Sequence, residues 1–388
     1  MIQPISKKIT EKKENGFGEK YFNTLLVDGN NIMEVAFNSD KTISSNGKLV
    51  GPIFQFLLQL KIMLQKGNFR YVYVFWDGDN SGEYRAMLLP TYKANRDKNY
   101  DLDVAVGLSD YMKQVNDRVK AMQEYFFNKN KNRSDDKKKE KEIFYEQRDV
   151  VMDCLEELFI RQCLCDKVEA DDLIAYYVLN KKPRERIVIM SNDRDLTQLI
   201  SDDVIVYVQS MKKFINTKNH TTEIGYNYQN VKLKKILCGD SSDNIKGIKG
   251  LGETTLFKNF PEFKERKITL NEVIDRAKQI NEDRIKDKKK PLKWADNIVN
   301  RVTDGIQGDK IYEINDKVID LKKPLLTDEA KKLMNDMMYA PLDPEGRSFT
   351  NLYSILIECG IDDLRDENKF SAFFSDFKNL ADKEMRNK

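Results

Sequence analysis

The sequence predicts an α/β domain with a mostly parallel central sheet flanked by helices, followed by a helical region. Two observations carry this expectation. Five short apolar runs, at about 24–28, 71–76, 162–166, 186–190 and 204–208, alternate with stretches of helical character, the order expected where strands are joined by crossover helices. After residue 225 the texture changes to short helices and turns. A chain of 388 residues has room for one large domain or two of ordinary size.

Residues 1–20 are polar and charged and read as a flexible tail. The first strand closes at Asp28-Gly29, and a helix follows at about 52–65, where Ile53, Phe56, Leu57, Leu60 and Leu64 recur at helical spacing. The second strand closes at Asp77-Gly78. A long excursion comes next, an arch spanning about 92–160. Residues 109–127 carry Met112, Val115, Val119 and Met122 on one helical face, and a second helix, about 143–160, carries Ile143, Val150, Val151, Cys154, Leu155 and Leu158. The 15 residues between them, 128–142, contain no apolar residue, seven Lys or Arg and four Asp or Glu. Two helices joined by such a tip predict a protrusion over the sheet. Long connections in compact domains are often lids or binding elements; the alternative is a solvent-exposed insertion.

The domain boundaries expected are 21–225 for the α/β unit, 226–325 for a region of short helices with a charged insertion, and 326–388 for a C-terminal helical region. In the middle region, 231–260 reads as a helix, a Gly/Asp/Ser turn, a Gly-rich hairpin and another helix. The last region offers Leu352, Ile355, Leu356, Phe370, Phe373, Phe374 and Phe377 for packing.

Hydrophobic residues make up 40% of the chain, enough for a core, and charged residues 33%. Lys plus Arg number 66 against 63 Asp plus Glu, a net charge of +3. The balance hides a segregation, with bases gathered at 93–98, 129–141 and 284–293 and acids in short clusters. An acidic pocket beside basic surface suits a metal enzyme acting on a polyanion. There is no apolar leader and no run near the ~20 residues of a membrane span, so a cytoplasmic, membrane-free protein is expected. The five cysteines form no CxxC pair, and an odd number without a secretory signal argues for a reducing compartment. The single histidine, His220, lies in a polar stretch and reads as a surface turn; one histidine cannot build a His-rich zinc site.

The chemistry is carried by nine acidic residues in five clusters. Asp28 and Asp77 end strands; Glu169, Asp171 and Asp172 open a helix; Asp193 and Asp195 follow the strand Ile187–Ser191; Asp240 and Asp243 lie in Cys238-Gly-Asp-Ser-Ser-Asp-Asn244. Carboxylates at the carboxyl ends of parallel strands converge on the crevice where such sheets bind ligands. So many cannot crowd together unpaired, and hard divalent cations with oxygen ligands, Mg2+ foremost, would relieve the repulsion. Any one cluster has a structural reading as a turn or helix cap; five in one α/β chain are hard to explain that way. The run Gly247-Ile-Lys-Gly-Leu-Gly252-Glu253-Thr254 is not a phosphate-binding P-loop, because Glu253 stands where the lysine belongs and no strand is expected immediately before it. It reads as a tight hairpin between two short helices, whose amides could approach a phosphate, or as a simple inter-helix turn.

In order, the motifs are VDG, FWDG, Arg85 with Leu89-Pro-Thr-Tyr-Lys-Ala-Asn-Arg96, EADDLI, SNDRDLTQL and GDSSDNIKGIKGLG. Over about 24–257 this resembles the structure-specific 5′-nuclease family: flap endonucleases, the 5′-nuclease domain of bacterial DNA polymerase I and phage 5′→3′ exonucleases. The part after residue 300 more loosely resembles the T-even phage ribonuclease H. The resemblance implies a PIN-like fold with a helical arch and a helix-hairpin-helix. It implies two Mg2+ ions, with Mn2+ as a substitute, and a K+ ion at the hairpin. Asp28, Asp77, Glu169 and Asp171 match the carboxylates around the first metal; Asp172, Asp193, Asp195, Asp240 and Asp243 match those around the second. Tyr92, Lys93 and Arg96 match the foot of the arch, with Arg85 nearby, and Lys93 and Arg96 would meet the scissile phosphate. Lys246, Gly247, Lys249, Gly250 and Gly252 match the hairpin that grips a duplex backbone. The departures are Trp76 where Phe is common, and an unusual arch tip and 262–325 segment.

The activity so implied is 5′→3′ exonuclease or flap endonuclease hydrolysis, with ribonuclease H activity in prospect. The substrates implied are DNA and RNA/DNA duplexes with 5′ ends or flaps. The setting would be phage replication or repair in a host cytoplasm, by a monomer working beside a single-strand-binding protein or sliding clamp. Two other readings stand beside it. A PIN-type single-strand ribonuclease would share the sheet and acids but lack GDSSDNIKGIKGLG. A non-catalytic DNA-binding relative would show substituted acids.

Overall fold

The computed structural model describes residues 23–44, 47–93, 133–303 and 309–385, without the side chains of 133–138 and 309–311. Its sheet contains β1 (Asn23–Asp28), β2 (Phe69–Asp77), β3 (Arg161–Cys165), β4 (Arg186–Met190), β5 (Val204–Val208) and β6 (Lys213–Ile215), in the order β3-β2-β1-β4-β5-β6. β1 to β5 pair in parallel and β6 is antiparallel to β5. The five expected strands are all present, each within two residues of its expected ends. β6 was not anticipated: three residues, Lys213-Phe214-Ile215, are too few to show a period.

Successive side chains of a strand point to opposite faces, and here both faces are buried. Leu25, Val27, Val72, Val74, Trp76, Val188 and Met190 enter one core, whereas Leu26, Tyr73, Phe75, Ile187 and Ile189 enter the other. A parallel sheet requires this double cover. The helices Gly29–Ser39, Gly51–Lys66 and Arg133–Glu157 lie over the first face, and Ala170–Leu179 over the second. The C-terminal helices join both layers. Leu352, Leu356, Phe370, Phe373, Phe374 and Phe377 complete the first core, and Ala330 and Met334 of the helix Asp328–Met337 complete the second.

The helix expected from 143 begins at Arg133. Its first ten residues are rich in Lys, Glu and Arg, good helix formers that need no buried face; apolar periodicity marked only the part that packs, from the buried Ile143 onward. The expected helix at 109–127, the tail at 1–20 and Arg96 lie outside the described residues.

Residues of 231–303 and 312–319, with Leu89 and Tyr92, build a third core around Leu237, Leu256, Phe260, Phe263 and Ile298. Within it, the helices Val231–Cys238 and Glu253–Asn259 flank a short antiparallel ladder of β7 (Gly239–Asp240) and β8 (Ile245–Lys246). A strand therefore does precede the glycine run, contrary to expectation, although it is only two residues long. The charged segment buttresses this hairpin. Asn297 Nδ2 donates to the Lys249 carbonyl at 2.8 Å, Asn315 Nδ2 to the Lys246 carbonyl at 3.0 Å, and the Lys249 N–H to the Val302 carbonyl at 2.9 Å. Among the described residues, no helix is long and apolar enough to cross a membrane.

Candidate active site

β1 is central, with β2 on one side and β4 on the other, so the chain reverses direction of travel there and leaves a crevice at the carboxyl ends of these strands. The crevice has a volume of about 1500 Å³ and is lined by Asp28, Asp77, Glu169, Asp171, Asp193, Asp195, Asp240 and Asp243 together with Tyr92, Lys93 and Lys235. Phe144, Tyr145 and Arg148 of the helix Arg133–Glu157 form part of its wall.

One group of acids is held by neutral donors. Asp28 ends β1 and caps the helix Gly29–Ser39: Oδ1 accepts the Asn31 N–H at 3.1 Å, and Oδ2 accepts the Ser191 hydroxyl at 2.7 Å. Ser191 Oγ accepts the Asp193 N–H at 2.9 Å, and Asp193 Oδ1 accepts the Asp195 N–H at 2.7 Å. Asp77 accepts the Ala170 N–H at 2.9 Å and Asn30 Nδ2 at 3.1 Å. The Asp171 carboxylate, in the first turn of the helix Ala170–Leu179, accepts no hydrogen bond among the described residues. Crowding shows in the acidities. Burial, then the Asp77 charge, pushes Asp28 up to about 7. Burial, then Asp195, pushes Asp193 up to about 6. Burial, then Asp193 and Asp28, raises Asp171 well above its ordinary value.

A second group is neutralised from within. Glu169 is paired with Arg85 and Lys93 and accepts the Tyr92 hydroxyl at 3.1 Å. Burial alone would raise it, but Arg85 and then Lys93 outweigh burial and hold it at about 2. Asp172, expected at a metal, turns away from the crevice instead. One residue beyond Asp171 on a helix, it faces a different side, where it is 1% exposed, pairs with Arg85 and accepts the Leu325 N–H at 2.9 Å. Arg85, expected to touch substrate, is 5% exposed; its guanidinium is committed to Glu169, Asp172 and, at 2.9 Å, the Val318 carbonyl.

Lys93 adopts a left-handed backbone (φ 49°), and its N–H donates to the Asp243 carbonyl at 2.9 Å. Asn244 Nδ2 donates to the Thr91 carbonyl at 2.8 Å. Thr91 and Lys93 are thus tied to the turn between β7 and β8. Near that turn, Lys235 pairs with Asp195, with Asp240 at 2.9 Å and with Asp243 at 3.1 Å. Burial opposes charge on both partners, yet Lys235 holds Asp240 below the ordinary carboxylate range, and the acids, Asp195 first, keep Lys235 protonated. The three carboxylates offer oxygens within 4.8 Å of one another. An all-oxygen donor set of this kind fits a hard divalent cation.

The hairpin glycines are not equivalent. A Cβ on Gly247 would lie 2.3 Å from the Cys238 carbonyl carbon, so this position allows backbone to cross backbone. Gly250 has φ 81° and, like Lys246, Lys249 and Gly252, is exposed.

Sequence reasoning missed Lys235, Ser191, Asn30 and Asn31. A signal for Lys235 existed: it follows Val231 by one helical turn, on the buried side of a short helix that leads into Asp240. His220, expected at the surface, is fully buried; Nδ1 donates to the Tyr226 carbonyl at 2.6 Å, and burial lowers its pKa.

Residues 23–225 match the family model described as the 5′-3′ exonuclease N-terminal resolvase-like domain. A 5′-3′ exonuclease of Mycoplasma pneumoniae is 30% identical over 254 residues, 60% of this chain and 82% of that protein. One from Mycoplasmopsis pulmonis is 40% identical over 103 residues, 24% of this chain and 32% of that protein, so that match spans only a third of the relative's length. In fold, the chain is similar to the T5 5′-exonuclease solved with divalent metal ions (zinc) bound, with a TM-score of 0.58 at 19% identity, over 81% of this chain and 98% of that one.

Proposed function

The chain belongs to the 5′-3′ exonuclease family of structure-specific 5′-nucleases, and on that premise we propose that it is a metal-dependent hydrolase of phosphodiesters near the 5′ ends and junctions of DNA and RNA-primed DNA. The observation that carries the reading is one crevice in which Asp28, Asp77, Asp171 and Asp193 crowd together beside Lys93. The T5 5′-exonuclease, solved with divalent ions bound, supports it. Asp28, Asp77, Asp171 and Asp193 would hold one ion, Asp193 leaving the second group in which the resemblance puts it, with Glu169 beside that ion on Arg85 and Lys93; Asp195, Asp240 and Asp243 would hold a second. Two Mg2+ ions bound there would clamp the phosphate, activate a water and stabilise the leaving oxygen.

The chain's own residues would supply the rest. Lys93, tied at its backbone to the β7–β8 turn, would neutralise charge that grows on the phosphate, with Arg96 three residues on. Lys246, Lys249, Gly250 and Gly252 are exposed on one hairpin and would meet the duplex backbone, reading shape rather than sequence. An arch over the crevice would admit a 5′ single strand. The test is product mapping on matched, labelled 5′-flap and 3′-flap duplexes, with Mg2+ and with chelator. Cleavage of the 5′ flap alone, and only with metal, is expected. Equal cutting of both flaps would end the polarity claim, and full activity in chelator the metal claim.

A further inference from the structure

We propose that Lys235 is a built-in counter-cation of Asp195, Asp240 and Asp243, and that a divalent ion can enter between these carboxylates only by displacing its ammonium. The inference rests on the metal-dependent reading above. Lys235 projects from the helix Val231–Cys238, its side chain is 6% exposed, and Nζ touches all three carboxylates. Their oxygens lie within 4.8 Å of one another, a space that an ammonium and a divalent ion cannot share, because the two positive charges would repel strongly at that distance. Asp28, Asp171 and Asp193 differ. Among the described residues none of them forms an ion pair; Asp28 is held by the Asn31 amide and the Ser191 hydroxyl, and Asp193 by the Asp195 amide. The first ion therefore goes to Asp28, Asp171 and Asp193, from which no paired ammonium has to leave. The second must compete with Lys235. In the absence of substrate, loading is unequal and ordered, and the weak position is set by a side chain rather than by a shortage of ligands.

The test counts Mn2+ ions by electron paramagnetic resonance in substrate-free protein, comparing wild type with Lys235→Met. Wild type should bind one ion tightly and a second about tenfold or more weaker, the size of an ordinary site–site coupling. Lys235→Met should tighten the second ion by a similar factor and change the first, which feels Lys235 only across Asp193, by much less. An unchanged second affinity overturns the proposal, as do two equal ions in wild type. Absence of Mn2+ from both proteins would sink the metal reading itself, and this inference with it. Should Lys235→Met fail to fold, wild type still decides. The 15N ammonium resonance of Lys235, assigned by its loss in Lys235→Arg, should shift or vanish as Mg2+ saturates the second position. A resonance unmoved through that titration overturns displacement.

Discussion

The two sides of the acidic crevice use the same residue type and reach opposite electrostatic states. On one side Asp28 and Asp193 are held by hydroxyl and amide donors, and both, with Asp171, are disfavoured as anions. On the other, Asp195, Asp240 and Asp243 share Lys235. The difference lies in the neighbouring helix. Val231–Cys238 brings a buried lysine to the acids, whereas β1 and β4 end in polar but uncharged neighbours, Asn31 and Ser191. The first side stores repulsion that an external cation relieves; the second is satisfied without one.

The largest expected effect separates the two in catalysis. Asp193→Asn should lower the single-turnover rate at saturating substrate in Mg2+ by about 10³-fold, the scale of losing one strong stabilising group at a reacting centre. Asp240→Asn, whose partner Lys235 keeps two other carboxylates, should lose about 10-fold to 100-fold. Rapid-quench measurement on a flap substrate decides it. Equal losses would erase the functional distinction between the sides.

Stability gives the next effect. Arg85→Ala leaves Glu169 and Asp172 buried without their shared cation, which should cost about 3–5 kcal/mol in urea unfolding. A stable variant that merely bound duplex less tightly would return Arg85 to the substrate-contacting role expected from sequence.

A smaller effect is the pH dependence of the metal-free protein. Asp28 and Asp193 are raised from 3.8 to about 7 and about 6. A raised carboxyl favours the native state while protonated, so its contribution is full below pH 3.8 and disappears as pH rises through 6 to 7. In chelator, stability should fall by about 1–3 kcal/mol between pH 5 and 8. Mg2+ should abolish the fall, and Asp171→Asn should blunt it. Glu169 works in the opposite sense, its contribution being lost as pH falls from 4.5 through about 2, outside that window. Thermal melts across pH, with and without Mg2+, make the comparison; a flat profile in chelator would mean that the first side stores no repulsion.

The sequence was most legible where one residue type reports one thing. Apolar runs such as Thr24–Val27 and Ile187–Met190 marked strands because both faces of a parallel sheet are buried, and the acids that follow them marked the crevice. What stayed hidden depends on which groups meet in space. Asp171 and Asp172 are adjacent in sequence, and only the helix phase sends one to the crevice and the other to Arg85. The partnership of Lys235 with Asp195 spans 40 residues, and no local pattern records it. The segment 133–142 read as part of the polar tip 128–142, because it has no apolar residue to mark a helical face. His220 read as a surface turn because its neighbours in sequence are polar, although the ring is buried and packs edge-on against Tyr226 and Tyr228.

The hairpin supplies a control distant in mechanism from both acidic sides, and its expected effect is the smallest. Gly250 has φ 81°, and the nearest atom to an added Cβ is Trp294 Cβ at 3.9 Å. A side chain there is opposed by backbone conformation, about 1–2 kcal/mol, and not by a clash. Gly252 has φ −95° and open space around an added Cβ, so Gly252→Ala should leave the folded protein unchanged. If the exposed hairpin meets the duplex by close backbone approach, both Gly250→Val and Gly252→Ala should weaken binding of flapped duplex. The valine should cost about tenfold, or 1.4 kcal/mol, and the alanine less. Neither should alter the rate at saturating substrate, because Lys93 and the acids are untouched. Binding should also weaken with salt in both variants, as phosphate contacts require. Titration of labelled flap duplex at several salt concentrations makes the measurement. A loss confined to Gly250→Val would trace the effect to a distorted turn, whereas a loss in Gly252→Ala, where nothing in the folded protein resists the methyl group, would place the duplex against the hairpin itself.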